Sequence, residues 1–285
     1  MRGGRGLADV WNGAEAPPPQ TLTAGAVWRV VRRGLPLAIV VFGGLAILLA
    51  VRLLERPLFG MRRPVTPYIT QAVCRTAFVL LGIRYRSIGH PMAGPGAVVA
   101  NHVSWLDIFA LNARKRIYFV SKAEVAGWPG IGWLARATGT VFIKRDRREA
   151  ASQIQIFRER LAAGHKLLFF PEGTSTDGLR VLPFKPTLFA AFFDPALAET
   201  LHIQPVTVSY AAPKGEDPRF YGWWGDMAFG PHLLHTLAAK RQGSVTVAYH
   251  TPVRLIDFTD RKALARTLEN TVRGGLAAHD GAQIG

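Results

Sequence analysis

The sequence predicts an α/β domain carried behind an apolar amino-terminal segment. Two observations predict it. From Arg84 onward, short runs rich in β-branched and aromatic residues alternate with stretches of helical periodicity, the pattern of strands and helices layered around one core. Before that point lies GLPLAIVVFGGLAILLAV, Gly34 to Val51, without a single charge.

Residues 1–24 are rich in Gly, Pro and Ala and hold three consecutive prolines, Pro17–Pro19. They read as a flexible leader. As a helix, Gly34–Val51 would measure about 27 Å, close to the roughly 30 Å of bilayer hydrocarbon. Pro36 stands near its start, where proline is tolerated, and Gly43 and Gly44 weaken its middle. The run starts too late for a signal peptide, and no small-x-small cleavage site follows it. It reads as an anchor, either spanning the bilayer or lying in one leaflet. Tyr68 to Ile83, interrupted by Gln71 and Arg75, reads as an amphipathic interfacial helix. Residues 25–83 are therefore the anchoring helices, and 84–285 the globular domain.

Within that domain the strand candidates are RYRSIG, GAVVA, RIYFV, GTVFIKR, HKLLFF, IQPVTVSY and SVTVAYH. Helix candidates fall at Trp105–Asn112, Trp133–Thr138, Arg148–Ala163 and Leu188–Phe193, with a capped amphipathic helix over Thr259–Ala277. Leu188, Phe189, Phe192 and Phe193 form an apolar face that suits either an acyl channel or, more simply, core.

The chain carries 35 Lys and Arg against 19 Asp and Glu, a net charge of +16, which implies an anionic partner. Arg29, Arg32 and Arg33 flank one apolar stretch, and Arg52, Arg56, Arg62 and Arg63 follow it. That distribution favours anionic membrane lipids over nucleic acid, as does the lack of any helix-turn-helix, zinc-finger or RNP-type pattern. A lone Cys74 excludes an internal disulfide and a cysteine metal site. No segment has metal-ligand spacing, and the close pair His232 and His235 reads as an ordinary surface pair.

Chemistry concentrates in two segments. ANHVSWLDIFAL, Ala100 to Leu111, places His102 in a strand-to-helix turn and Asp107 in the first helical turn, on the rim where α/β domains hold ligands. A turn between them lets the carboxylate reach back to the imidazole. Ser104 and Asp107 equally match a capping box, which would need no chemistry. The second segment, FFPEGTSTDG, Phe169 to Gly178, delivers Glu172 at a strand's carboxyl end, followed by backbone N–H groups and hydroxyls. Ser175 lacks the G-x-S-x-G setting of a hydrolase nucleophile.

NHVSWLDI and FFPEGTSTDG resemble the H-x-x-x-x-D and F-P-E-G blocks of the PlsC-type glycerolipid acyltransferases. GTVFIKRDRRE and IQPVTVSY are similar to the family's two weaker blocks, in the expected order. The resemblance covers roughly Ala97 to Tyr210. It implies a mixed, mostly parallel sheet flanked by helices, and transfer of a fatty acyl group from an acyl carrier protein (ACP) or coenzyme A (CoA) thioester to a lyso-lipid hydroxyl. It also implies an enzyme without a resident cofactor, at the inner (cytoplasmic) membrane, its catalytic domain facing the cytoplasm. His102 would be the general base and Asp107 its orienting carboxylate. Backbone N–H groups around Gly173 and Thr174 would receive the oxyanion. Glu172 would contact the acceptor hydroxyl or build the pocket, and Lys144 and Arg145 would clamp a phosphate or carboxylate.

Two departures stand out. The family commonly has arginine after E-G-T, a natural phosphate ligand, whereas here Ser175 is followed by Thr176 and Asp177. The E-G-T-S-T-D-G form resembles the lyso-ornithine lipid acyltransferases, whose acceptor is zwitterionic; Arg180 is placed to compensate if the acceptor is lysophosphatidic acid. Downstream, PFKPTLFAAFF has Thr187 in place of the glycine of F-K-x-G, and Pro186 suits a helix's first turn.

Overall fold

The structure, a computed structural model, describes residues 10–15, 23–128, 130–144 and 150–284. Two helices, α1 (Ala24–Phe59) and α2 (Thr66–Leu81), lead into β1 (Arg84–Ile88), β2 (Gly96–Ala100), α3 (Asp107–Arg114) and β3 (Tyr118–Lys122). Then come α4 (Ile131–Thr138), β4 (Val141–Ile143), α5 (Ala150–Ala162), β5 (Lys166–Phe169), a 3₁₀ helix over Pro186–Phe193, and the short α6 (Pro195–Ala198). The chain closes with β6 (His202–Ala211), α7 (Phe229–Ala238), β7 (Ser244–Tyr249), β8 (Val253–Arg254) and α8 (Arg261–Ile284).

The strands form one sheet in the order β1-β7-β6-β2-β5-β3-β4, with β8 paired to β6. Every neighbouring pair is parallel except β6 with β7 and β6 with β8. Strand alternation splits the core in two. Val98, Ala100 and Leu168 join Cys74, Phe78 and Leu81 of α2 and Ala110 and Leu111 of α3. Ala97, Val99, Leu167 and Phe169 face α5, α8 and the 3₁₀ helix on the other side. This is the mixed, mostly parallel, helix-flanked sheet expected.

Some boundaries differ, for physical reasons. The stretch around Leu188–Phe193 is a 3₁₀ helix opening at Pro186; Phe189 and Phe192 are fully buried and meet Phe169 and Phe157. Those aromatics are core, not channel wall. The helix expected from Trp105 starts at Asp107, because Trp105 is drawn into the core by its Nε1–H bond to His232 (2.9 Å to Nδ1). His232 is correspondingly buried, not a surface residue. The final helix runs on to Ile284, its start capped by Asp260 through the N–H groups of Lys262 and Ala263.

Helix α1 begins ten residues ahead of the uncharged run. Thr23 caps it by accepting from the Ala26 N–H, and its first turns are held to the domain. Arg33 donates to the carbonyls of Leu237 (2.8 Å) and Ala239 (2.6 Å), and Arg29 to that of Ala238 (2.6 Å). These oxygens belong to the last turn and exit of α7, which intrahelical bonding leaves without donors. Pro36 therefore lies in the helix interior, where it removes the bond to the Arg32 carbonyl.

The far end of α1 is held as well. Glu55 is buried and accepts from the Val65 and Thr66 N–H groups and the Thr66 hydroxyl, which caps α2. Between the two ends Gly44 meets Val73 of α2 so closely that a Cβ would sit 2.4 Å from its Cγ2. Helix α2 buries Cys74, Ala77, Phe78 and Leu81 in the same cluster as the sheet. The boundary expected at Ile83 is thus crossed by packing, because α2 shares the domain core. Elsewhere α1 exposes Leu35, Ile39, Phe42, Ile47, Leu53, Leu54 and Leu58. By length and composition it is a candidate membrane anchor.

Arg33→Ala should leave two carbonyls at the end of α7, those of Leu237 and Ala239, short of donors and loosen α1, at a cost of about 1.5–3 kcal/mol for bonds to a buried charge. Thermal unfolding in detergent checks this, with earlier proteolysis near Thr23 than in the parent protein.

Candidate active site

The register of the parallel strands builds the site. Val99 of β2 pairs with Phe169 of β5, so three residues further on the two chains reach His102 and Glu172 side by side. The His102 N–H donates to Glu172 Oε1 at 2.7 Å, and the Leu182 N–H donates to Glu172 Oε2 at 2.6 Å. On its other side the His102 carbonyl accepts from the Thr176 N–H at 2.9 Å. The F-P-E-G loop therefore clamps the histidine main chain from both directions.

Asp107 is fully buried and acts on the same turn. Its Oδ2 lies 2.8 Å from His102 Nδ1 and accepts from the N–H groups of Val103 (2.8 Å) and Ser104 (3.0 Å). Its Oδ1 accepts from the Tyr210 hydroxyl at 2.8 Å. Catalytic orientation and backbone capping, alternatives in the sequence, are here the same carboxylate. A carboxylate ringed by three other donors can only accept from the imidazole, so the proton is assigned to Nδ1 and the lone pair to Nε2. The ring stacks on Phe170, centroids 4.0 Å apart and planes 11° from parallel. About a fifth of the His102 side chain is open to solvent (21%). Among the described residues Nε2 meets no protein partner, which leaves it free to take a proton.

Three residues escaped the sequence reading. Asn101 donates to the Val208 carbonyl and accepts from the Val208 N–H, both at 2.8 Å, and so fastens the turn to β6. Tyr210 lay in a recognised block, but no spacing rule links it to Asp107. Trp223, from the aromatic run RFYGWWG, supplies a third wall: its N–H donates to the Val103 carbonyl, and its own carbonyl accepts the Ser175 hydroxyl.

The expected substrate-binding residues divide. Glu172 is a brace: with 1% of its surface exposed and both oxygens engaged, it ties the His102 turn to Leu182. The Gly173 N–H donates to the Phe170 carbonyl at 3.0 Å and closes a turn, so it is not an oxyanion donor. The N–H groups of the next two residues, Thr174 and Ser175, meet no acceptor among the described residues. The Ser175 hydroxyl is committed to Trp223. Arg180 forks onto buried Asp177 (Nε 3.1 Å, Nη2 2.9 Å), so its charge is already matched and it makes a poor phosphate ligand. Lys144 is exposed just beyond β4, on the same rim but at the sheet edge. Arg145 lies outside the described residues. No group of metal-ligating side chains occurs among them. Residues 10–15, expected to be part of a loose leader, lie against this rim. Trp11 donates its N–H to the Thr174 hydroxyl and packs under Arg180, and the Ala14 carbonyl accepts from Trp224 Nε1.

The chain's matches to known proteins agree with this site. Residues 84–209 match the acyltransferase family model. A lyso-ornithine lipid O-acyltransferase of Rhodobacter capsulatus is 57% identical over 94% of this chain and 97% of its own length. The chain belongs to the PlsC-type acyltransferase family. The namesake relative from Brucella abortus is 39% identical over 75% of the chain and 82% of its own length. A 1-acyl-sn-glycerol-3-phosphate acyltransferase of Neisseria gonorrhoeae is 32% identical over 63% and 69% respectively. In fold, this acyltransferase resembles PlsC of Thermotoga maritima, with a TM-score of 0.64 at 21% identity over 90% of this chain and 96% of that one.

Burial pushes the Glu172 carboxyl up to about 8, against the pull of its two N–H donors. Its native state then holds a proton that an unfolded glutamate has lost, so this group's stabilisation is full below about 4.5 and declines as pH rises through about 8. Glu172→Gln should flatten that part of a melting-temperature profile between pH 5 and 8.5. It should also lower the melting temperature throughout, because the amide NH₂ must face one of the two N–H groups. Replacing His102 by Ala should reduce acyl transfer by about 10²–10⁴-fold with the fold intact; turnover near the parent rate would remove its role. Tyr210→Phe should cost severalfold in rate and shift the acid limb of the pH–rate profile, as Asp107 loses a donor.

Proposed function

We propose that this acyltransferase esterifies lyso-ornithine lipid, with an ACP or CoA thioester as donor. The observation that carries the chemistry is the His102–Asp107 contact, with Nε2 open at the rim. The acceptor hydroxyl gives its proton to His102 Nε2 as its oxygen bonds to the thioester carbon. The resulting oxyanion is met by backbone N–H groups of the Thr174–Ser175 segment. Collapse breaks the carbon–sulfur bond, and the leaving thiolate takes the proton back from the imidazolium. Ester and free thiol result, with no covalent enzyme intermediate. Asp107 keeps the ring in one tautomer and stabilises the charge it carries between the two transfers.

Support for the acceptor comes from two directions. The relative of highest identity given above bears that activity in its name. In the loop itself, Asp177 neutralises Arg180, which suits a zwitterionic head group better than a phosphate monoester. The 32% identical relative, named for 1-acyl-sn-glycerol-3-phosphate, marks the second acceptor worth testing.

The enzyme works on the membrane, and we read α1 as lying along it. A helix of 36 residues is about 54 Å long, yet Arg29 and Arg33 tie its start, and Glu55 its end, to the same domain. Two ends bound to one rigid body stay on one side of a bilayer. We read that side as the cytoplasmic face of the inner membrane, because the ACP and CoA thioesters it would use are cytoplasmic.

Detergent-solubilised protein given labelled ACP and CoA thioesters should acylate lyso-ornithine lipid at least tenfold faster than lysophosphatidic acid. A reversed preference would overturn the acceptor assignment and leave the acyl transfer intact. In spheroplasts, cysteines introduced as Gly25→Cys and Met61→Cys should both resist an impermeant maleimide added outside. Labelling of only one would mean that α1 crosses.

A further inference from the structure

A second site lies at the opposite ends of the strands from His102. A cavity of about 390 Å³ is lined by Arg62 and Arg63 of the α1–α2 turn, Arg116 just before β3, Tyr118, and His165 and Lys166 where β5 begins. No carboxylate lines it among the described residues. Lys166 and Glu172 are six residues apart along an extended chain, so this cavity and the catalytic rim are separated by about 20 Å.

The charges here are crowded and unmatched. Lys166 is buried, its amine donating to the Ala93 carbonyl at 2.9 Å; burial and the nearby Lys115 and Arg116 push its pKa down to about 8. His165 is buried too, driven down to about 3 by burial, Arg160 and Arg63, and so is neutral. Arg160, beside it over the Tyr118 ring, has a buried Nε with no hydrogen-bond partner. The one carboxylate whose field reaches Arg63, Glu55, is occupied at the start of α2. Burying cations this way is unfavourable unless an anion joins them.

What surrounds the mouth says which anion. Phe59 lines the cavity, and Leu58 (74% exposed), Phe59 (49%) and Met61 (42%) present bare apolar surface beside it. Exposed Leu54 continues that surface along α1. A soluble anion has no use for apolar side chains at its entrance; a phospholipid offers a phosphate and hydrocarbon together. Arginine pairs match phosphate oxygens in geometry as well as charge.

We propose that this cavity binds the phosphate of a membrane phospholipid head group and holds the α1–α2 turn to the bilayer, away from the acyl-transfer site. The assignment rests on the membrane docking proposed above. Purified full-length protein would be floated with three kinds of vesicle: phosphatidylcholine alone, phosphatidylcholine with phosphatidylglycerol, and phosphatidylcholine with oleate at matched surface charge. The parent protein should prefer the phosphatidylglycerol vesicles over the oleate ones. The double variant Arg62→Gln/Arg116→Gln removes two exposed cations that make no backbone hydrogen bond. It should bind phosphatidylglycerol vesicles about tenfold or more weakly and lose the preference. A control of equal charge loss, Arg84→Gln/Arg241→Gln, should keep it.

Equal losses in both variants, or a preference that survives Arg62→Gln/Arg116→Gln, would overturn the site while leaving docking in place. Millimolar inorganic phosphate that raises the melting temperature of the parent but not of the variant, with no vesicle preference, would make it a free-phosphate site instead. A parent protein that floats with no vesicle would sink the docking itself, and this site with it.

Discussion

A carboxylate shut away from water must have donors on both oxygens, and Asp107 has four: an imidazole, two main-chain N–H groups and a phenol. The rest of the site follows from that requirement. The two N–H groups curl the chain after β2 into a tight turn, which brings His102 back over the helix that Asp107 begins. Tyr210 ties the arrangement to β6, and Asn101 ties it again through Val208. The aspartate orients the base because it first folds the loop on which the base stands.

The sheet supplies what a loop alone lacks. Parallel pairing of β2 with β5 sets His102 level with Glu172, and the Glu172 carboxyl then joins two segments that have no secondary structure of their own. Because Glu172 holds the His102 main chain and Asp107 holds its ring, the imidazole has little freedom left beyond Nε2. Preorganisation of this kind lets a general base act without a reorganisation cost at each turnover.

Much of this was legible in the sequence, where local rules apply. Apolar runs bounded by Gly and Pro gave the strands around His102 and Glu172; the interval to Asp107 fitted a dyad or a capping box equally, and only the resemblance of the two blocks together pointed to the dyad. What escaped depends on partners distant in the chain. Tyr210 reaches Asp107 across 103 positions, and Arg33 finds Leu237 across 204; no periodicity encodes either. Gly173 and Arg180 have the right chemistry for oxyanion and phosphate, yet each already has a protein partner, Phe170 and Asp177 respectively. The anchoring segment was visible as hydropathy. Its attachment at both ends was not, because that attachment uses arginines and a glutamate whose partners are main-chain atoms elsewhere.

The short stretch Val10–Glu15 has a practical bearing. It lies over the Thr174 loop through Trp11 and reaches Trp224 and Arg219 through the carbonyls of Ala14 and Glu15. A purification tag that disturbs these contacts would disturb the Thr174 loop next to His102. A handle on the opposite terminus avoids this, and kinetic comparisons between differently tagged preparations should allow for it.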